Sequence, residues 1–144
     1  MALLGGGTLN AIDRLLGKLA KYPAAMVTRK DRSATIEPQD DVGFRVELVA
    51  EQGHCTVFFD GWHEEFESEE EALDCVWFGL SPACRLAVTY RGPFPYKWSL
   101  QHRVDGEWRT ESVTGLFLVP FWWRRRVVYK QNHLVDPPVA ASGR

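Results

Sequence analysis

The residues best suited to chemistry stand together late in the chain, at Phe121-Trp122-Trp123-Arg124-Arg125-Arg126, with Lys130 just beyond. Indole faces stack on bases or on carbon surfaces, and guanidinium groups neutralise phosphates or carboxylates. The combination suits binding rather than bond-making. In an extended strand Trp122 and Trp123 point to opposite faces. One ring is therefore expected in the core and the other outside it with Arg124, Arg125 and Arg126. An exposed Trp beside Arg has the composition of a protein–protein hot spot. Nucleic acid and a membrane surface are the competing partners, and the charge argues against nucleic acid. The net charge is −2 and the pI is near 6.1, whereas dedicated nucleic-acid domains exceed about 9.

A second constellation, His63, Arg91, Tyr96, Trp98 and His102, holds the residue types of a pocket for a small anionic ligand. Its spacing matches no catalytic motif. His63-Glu64-Glu65 lacks the second histidine of a zinc-binding H-E-x-x-H helix. His54 and Cys55 are adjacent, so on a strand they face opposite ways. There is no G-x-S-x-G elbow. Gly5-Gly6-Gly7 follows no strand and lacks the lysine of a phosphate-binding loop. The carboxylates Glu64, Glu65, Glu67 and Glu69 to Glu71 crowd a helix start, where such runs are usually solvated, whereas a general acid needs burial. Cys55, Cys75 and Cys84 are odd in number and lack C-x-x-C spacing, which suits reduced thiols packed as small hydrophobes. No catalytic residue, metal or cofactor is expected.

The elements that must position these residues are legible from periodicity. Leu9, Ile12, Leu15, Leu16 and Leu19 share one helical face, capped by Thr8 or Asn10 and stopped by Pro23. A short strand is expected at 24–28. Phe44 to Ala50 and Cys55 to Phe59 alternate apolar and polar residues around Gln52-Gly53. A two-residue turn pairs Ala50 with Cys55, Leu48 with Val57 and Val46 with Phe59, and sets Arg45 opposite Asp60. That register gathers the apolar set on one side, and a one-residue slip would scatter it. Ser68 with Glu71 forms a capping box for a second helix, whose buried stripe is Ala72, Leu73, Val76, Trp77 and Leu80. Three or four strands follow. Around Val104-Asp105-Gly106 a three-residue loop with Gly106 left-handed would set Leu100 opposite Thr110 and Trp98 opposite Ser112. A last strand region, 115–129, should break at Pro120.

The expected architecture is α+β: a mostly antiparallel sheet of five to six strands with two helices packed on one face, in the order α-β-β-α-β-β-β-β. Residues 1–135 are expected to form one domain and 136–144 a loose tail. Charge is segregated: residues 1–36 carry +4, 37–74 carry −12 and 85–130 carry +6. The acidic helix and the basic C-terminal strands are expected to face each other, within one chain or across a dimer. No stretch reaches the 20 or so apolar residues of a membrane span, and no secretory leader is evident, so a cytoplasmic protein is expected. The leading functional expectation is a non-catalytic binding or protein-interaction domain with a homo-oligomer or protein partner, most simply a homodimer. The alternative is a small-molecule-binding domain or minor enzyme around Tyr96, Trp98 and His102.

Overall fold

The fold is taken from a computed structural model that describes residues 10–115 and 124–136. It is α+β, built from two helices and two antiparallel sheets. Helix α1 spans Ala11–Leu19, with strands β1 (Met26–Arg29), β2 (Ser33–Glu37), β3 (Val46–Glu51), β4 (His54–Phe59) and β5 (Trp62–Phe66) after it. Helix α2 (Glu69–Leu80) leads to β6 (Cys84–Arg91), β7 (Phe94–Val104), β8 (Glu107–Gly115) and β9 (Arg125–Lys130). The first five strands form one sheet in chain order. The second sheet runs β8-β7-β6-β9, so β9 crosses to pair with β6. Two sheets of five and four strands thus stand where a single one of five to six was expected. The strands outside the expected order are β1, anticipated only as a short strand at 24–28, β2 and β5. β2 alternates over only five residues with two apolar positions, Ala34 and Ile36, and β5 carries the acidic pair Glu64-Glu65, so each marks a strand weakly.

Local chemistry sets both helix starts. Asn10 Oδ1 accepts from Asp13 N at 2.9 Å, and Ser68 Oγ accepts from Glu71 N at 3.2 Å, each satisfying an N–H that has no partner within its helix. The buried stripes are Ala11, Ile12, Leu15 and Leu19 on α1 and Ala72, Leu73, Val76, Gly79 and Leu80 on α2. Gly79 replaces the expected Trp77 in that stripe. Its missing side chain lets the helix lie on β4, because a Cβ there would overlap the Phe59 ring. Trp77 instead sits half-buried beside Tyr22.

The β3–β4 hairpin has the expected register, with Val46, Leu48 and Ala50 opposite Phe59, Val57 and Cys55. Gly53 takes φ 82° in its turn. Arg45 and Asp60 meet through the backbone: Arg45 N donates to Asp60 Oδ1 and Asp60 N to Arg45 O, both at 3.0 Å. The β7–β8 turn differs from expectation. It is a two-residue Asp105-Gly106 loop with φ 53° and 81°, both left-handed, as a type I′ turn requires. Gly106 is left-handed as expected, but Val104 pairs with Glu107 rather than entering the loop. A bulge at Glu111 then shifts the register, so Leu100 faces Ser112. The bulge restores the parity that a two-residue turn alone would have lost, returning apolar and polar sides to their faces.

One core joins the two sheets. Phe44, Val46, Leu48, Val57, Phe59 and Trp62 from the first side meet Leu86, Val88 and Leu100 from the second. α2 packs on β3, β4 and β5 and also meets β6. Trp62 Nε1 donates to Ser112 Oγ at 3.0 Å, tying β5 to β8. Asn132 closes the other end. Its Oδ1 accepts from Phe44 N, and its Nδ2 donates to the carbonyls of Phe44 and Gly79, all within 3.1 Å. Leu134 N and Val135 N donate to Leu80 O. The carbonyls left open at the end of α2 are thus filled by the segment after β9.

Candidate interaction surface

Alternation divides the second sheet into two faces. Leu86, Val88 and Leu100 point into the core, so their strand neighbours point out. The registers place Arg85 beside Gln101, Ala87 beside Ser99 and Tyr129, and Thr89 beside Lys97 and Val127 on that outer face. Arg91 with Arg125, and Arg103 with Trp108, extend it at either end. Five cations, Arg85, Arg91, Lys97, Arg103 and Arg125, therefore share one face. Among the described residues no carboxylate falls on it.

Three of these cations, Arg85, Arg91 and Arg103, lie against rings. Arg85 lies between two aromatics, its guanidinium carbon 4.5 Å from the Trp108 ring centroid and 4.0 Å from that of Tyr129. Its Nε donates to Gln101 Oε1 at 2.8 Å, and Gln101 Nε2 donates in turn to Thr110 Oγ1. Arg103 covers Trp108 at 4.9 Å. This is a continuous stack across the four strands, in which planar guanidinium and ring surfaces meet face to face. Burial pulls the Arg85 pKa below its ordinary value, and Arg103 pushes the same way; an arginine so placed still carries its charge.

Beside the stack Ala87, Thr89 and Ser99 are buried. Val113 and Tyr129, each 52% exposed, and Val127 at 37%, stand near them on the same face.

The stretch that opened the sequence reading contributes its arginines only in part to this face. Trp122 and Trp123 lie outside the described residues. Arg124 is exposed just before β9, and its carbonyl accepts from Gly92 N at 3.0 Å. Arg125 stands on the outer face opposite Arg91. Arg126 belongs to the other side of β9, with its guanidinium 4.4 Å from the Tyr90 ring.

The second constellation is spread along β7 and its neighbours. Arg91 stacks on Tyr96 at 5.7 Å. The Trp98 ring lies over Gly61, where a Cβ would overlap it. His63 is exposed on β5, 5.6 Å from the Phe58 ring. His102 Nδ1 is 3.1 Å from Glu111 Oε2 but off the line a hydrogen bond needs, so the contact is an ion pair when the imidazole is protonated. Six strand residues separate Tyr96 from His102, roughly 20 Å at about 3.3 Å per residue. That exceeds one small pocket. Three cavities of about 510, 300 and 260 Å³ are lined by other residues.

The thiols are poor nucleophiles. Burial raises the pKa of Cys55, Cys75 and Cys84, and nearby carboxylates, Glu69 for Cys55 and Glu111 for the other two, add to it. A thiol held protonated neither attacks nor ligates a metal readily. Among the described residues there is no cluster of three His, Cys, Asp or Glu able to hold a metal ion.

The charge segregation resolves into particular pairs. The first turn of α2 meets the N-terminal helix, with Arg14 bonding Glu69 and Glu70, rather than the basic strands as expected. The basic half touches the acidic half through Lys130 and Asp60, 3.3 Å apart. Arg85, Lys97, Arg103 and Arg125 stand on the outer face of the second sheet, and Arg126 on the other side.

The face is hard to see in the sequence because Arg85, Trp108 and Tyr129 stand on three different strands. A signal was present: Arg85 and Arg91, and then Lys97 and Arg103, are six residues apart, and an even spacing puts each pair on one side of its strand. Searches of family models, of curated proteins and of solved structures found no match to the chain.

Proposed function

We propose that the chain is a non-catalytic binding protein whose second sheet holds an acidic protein segment on its outer face. The observation that carries this reading is the face itself: Arg85, Lys97, Arg103 and Arg125 on one side of the sheet, with Arg85 between Trp108 and Tyr129. A pre-ordered arginine loses little rotamer freedom on binding, and Arg and aromatic residues dominate hot spots. The exposed aliphatic side chains Val113 and Val127 on this face favour protein side chains over bases. Nucleic-acid platforms offer free ring faces, whereas here Trp108 and Tyr129 already carry guanidinium groups. A cytoplasmic setting fits three unpaired cysteines. Among the described residues no helix is long and apolar enough to cross a membrane.

A second copy of the chain is the competing partner. An all-cationic face repels its own image across a two-fold axis, but it complements the outer face of the first sheet, which carries Glu37, Glu47 and Glu65. Such head-to-tail contacts build rings or filaments. The deciding experiment is fluorescence anisotropy with an extended Glu/Leu-rich peptide and a U-rich RNA oligonucleotide of equal charge, alongside light scattering. The peptide is expected to bind, to weaken as salt rises and to lose at least tenfold in affinity in the Lys97→Glu/Arg103→Glu double variant. Tighter RNA binding, salt-sensitive self-assembly without peptide binding, or an unchanged affinity in the variant would each overturn the reading.

A further inference from the structure

A cavity separate from the basic face lies where the end of α1, the middle of α2 and the segment after β9 converge. Its volume is about 510 Å³, inside the roughly 300–1,000 Å³ range of small-molecule sites. Trp77 and Tyr22 supply its aromatic surface, with ring centroids 6.2 Å apart and planes 43° from parallel. Val135 adds an aliphatic wall, placed there by the bond from its N–H to Leu80 O at 3.2 Å. Lys18, Lys21, Asp74 and Asp136 complete the lining.

The charges make this more than an apolar dent. Lys18 and Lys21 stand three residues apart on one side of the α1 end, and the Lys18 ammonium lies 5.0 Å from the Trp77 ring centroid. Asp74 is one helical turn before Trp77. Among the described residues, neither lysine and neither aspartate makes an ion pair within 4 Å. Two ammonium and two carboxylate groups therefore border one cavity without neutralising each other, around an aromatic wall. A simple anion would meet the lysines but face two carboxylates, and a simple cation would meet the reverse. A ligand carrying both charges on an apolar body satisfies both sets.

We propose that this cavity binds a small zwitterion of the α-amino-acid class with an aromatic or branched side chain. The carboxylate faces Lys18 and Lys21, the ammonium faces Asp74 and Asp136, and the side chain lies against Trp77 and Tyr22.

The test is ¹H–¹⁵N NMR on the full chain, following the indole cross-peak of Trp77, assigned by its loss in Trp77→Phe. L-Phenylalanine, 3-phenylpropionate and phenethylamine are titrated in turn. Phenylalanine is expected to shift the peak in a saturable way, with each singly charged analogue weaker by roughly fivefold, the size of one solvent-accessible ion pair. Lys18→Met and Asp74→Asn, both exposed positions where folding is checked by the unchanged remainder of the spectrum, should each weaken phenylalanine by a similar factor. No saturable shift at millimolar phenylalanine overturns the proposal. Equal affinity for either singly charged analogue, or unchanged affinity in both variants, overturns the zwitterion assignment. Neither result bears on the basic sheet face, which shares no residue with the cavity.

Discussion

The two sheets use the same alternation to opposite ends. Both send their apolar residues to a shared core. On its outer side the first sheet carries Thr28, Thr35 and Thr56 with Glu37, Glu47 and Glu65, interspersed with Met26, Val49 and Phe58. The threonines and glutamates are β-compatible or charged side chains that keep this face wet. The second sheet turns outward five cations and two aromatic rings. Its arginines are ordered against rings, and ordering a long side chain on a surface costs entropy that solubility alone does not require. The first outer face reads as finished surface, and the second as surface prepared for a partner.

The comparison rests on the inner faces being structural, and the largest expected effect tests that. Phe59→Ala removes a ring packed against Phe44, Trp62 and the close-lying Gly79. It should cost about 3–5 kcal/mol in urea denaturation. A cost below about 1 kcal/mol would mean that the core between the sheets is looser than the geometry implies.

Asn132→Ala comes next. It leaves the N–H of Phe44 and the carbonyls of Phe44 and Gly79 without their side-chain partner in a buried place. A loss of about 2–4 kcal/mol is expected, since unsatisfied buried groups cost about 1–3 kcal/mol each and backbone shifts recover part. Hydrogen exchange should show the end of α2 and the segment after β9 opening together.

Trp108→Ala tests the outer face of the second sheet. Stability should fall by only about 1 kcal/mol, the size of a partly exposed cation–π contact. The affinity for an acidic peptide should fall much more, because Arg85 loses one of its two rings. The matching change on the first sheet, Thr35→Ala, should leave peptide binding untouched. Equal effects of the two changes on binding would erase the distinction between the faces.

The smallest effect concerns two glycines. Gly17 lies in α1 with nothing near its missing side chain, so Gly17→Ala should stabilise by roughly 0.5–1 kcal/mol. Gly79→Ala should destabilise, because the added carbon meets Phe59. Thermal melts of the two variants should move in opposite directions.

Much of the scaffold was legible before any coordinates. Thr8 or Asn10, of which Asn10 is the cap, and Ser68 marked the two helix starts, and the β3–β4 register followed from keeping Leu48 and Val57 on one side. The β7–β8 loop was misread because parity has two solutions. A three-residue loop and a two-residue loop followed by a bulge both return Leu100 and Trp98 to the apolar side, and a bulge leaves no mark in composition. β2 and β5 were missed because their inward residues are few: Ala34 and Ile36 on one, Trp62 on the other.

The candidate sites were less legible still. The rings around Arg85 come from positions 108 and 129, and the cavity of the further inference is built from positions 18–22, 74–77 and 135–136. What the sequence alone determined is local: periodicity, caps and turns act over a few residues, through dihedral preferences and the side on which a side chain falls. What only the tertiary structure decided is the division into two sheets, the pairing of β9 with β6, and hence which arginines share a face. Those outcomes depend on contacts between residues about 40 positions apart. Their energy comes from burying surface jointly, and surface buried jointly leaves no period in either segment to be read.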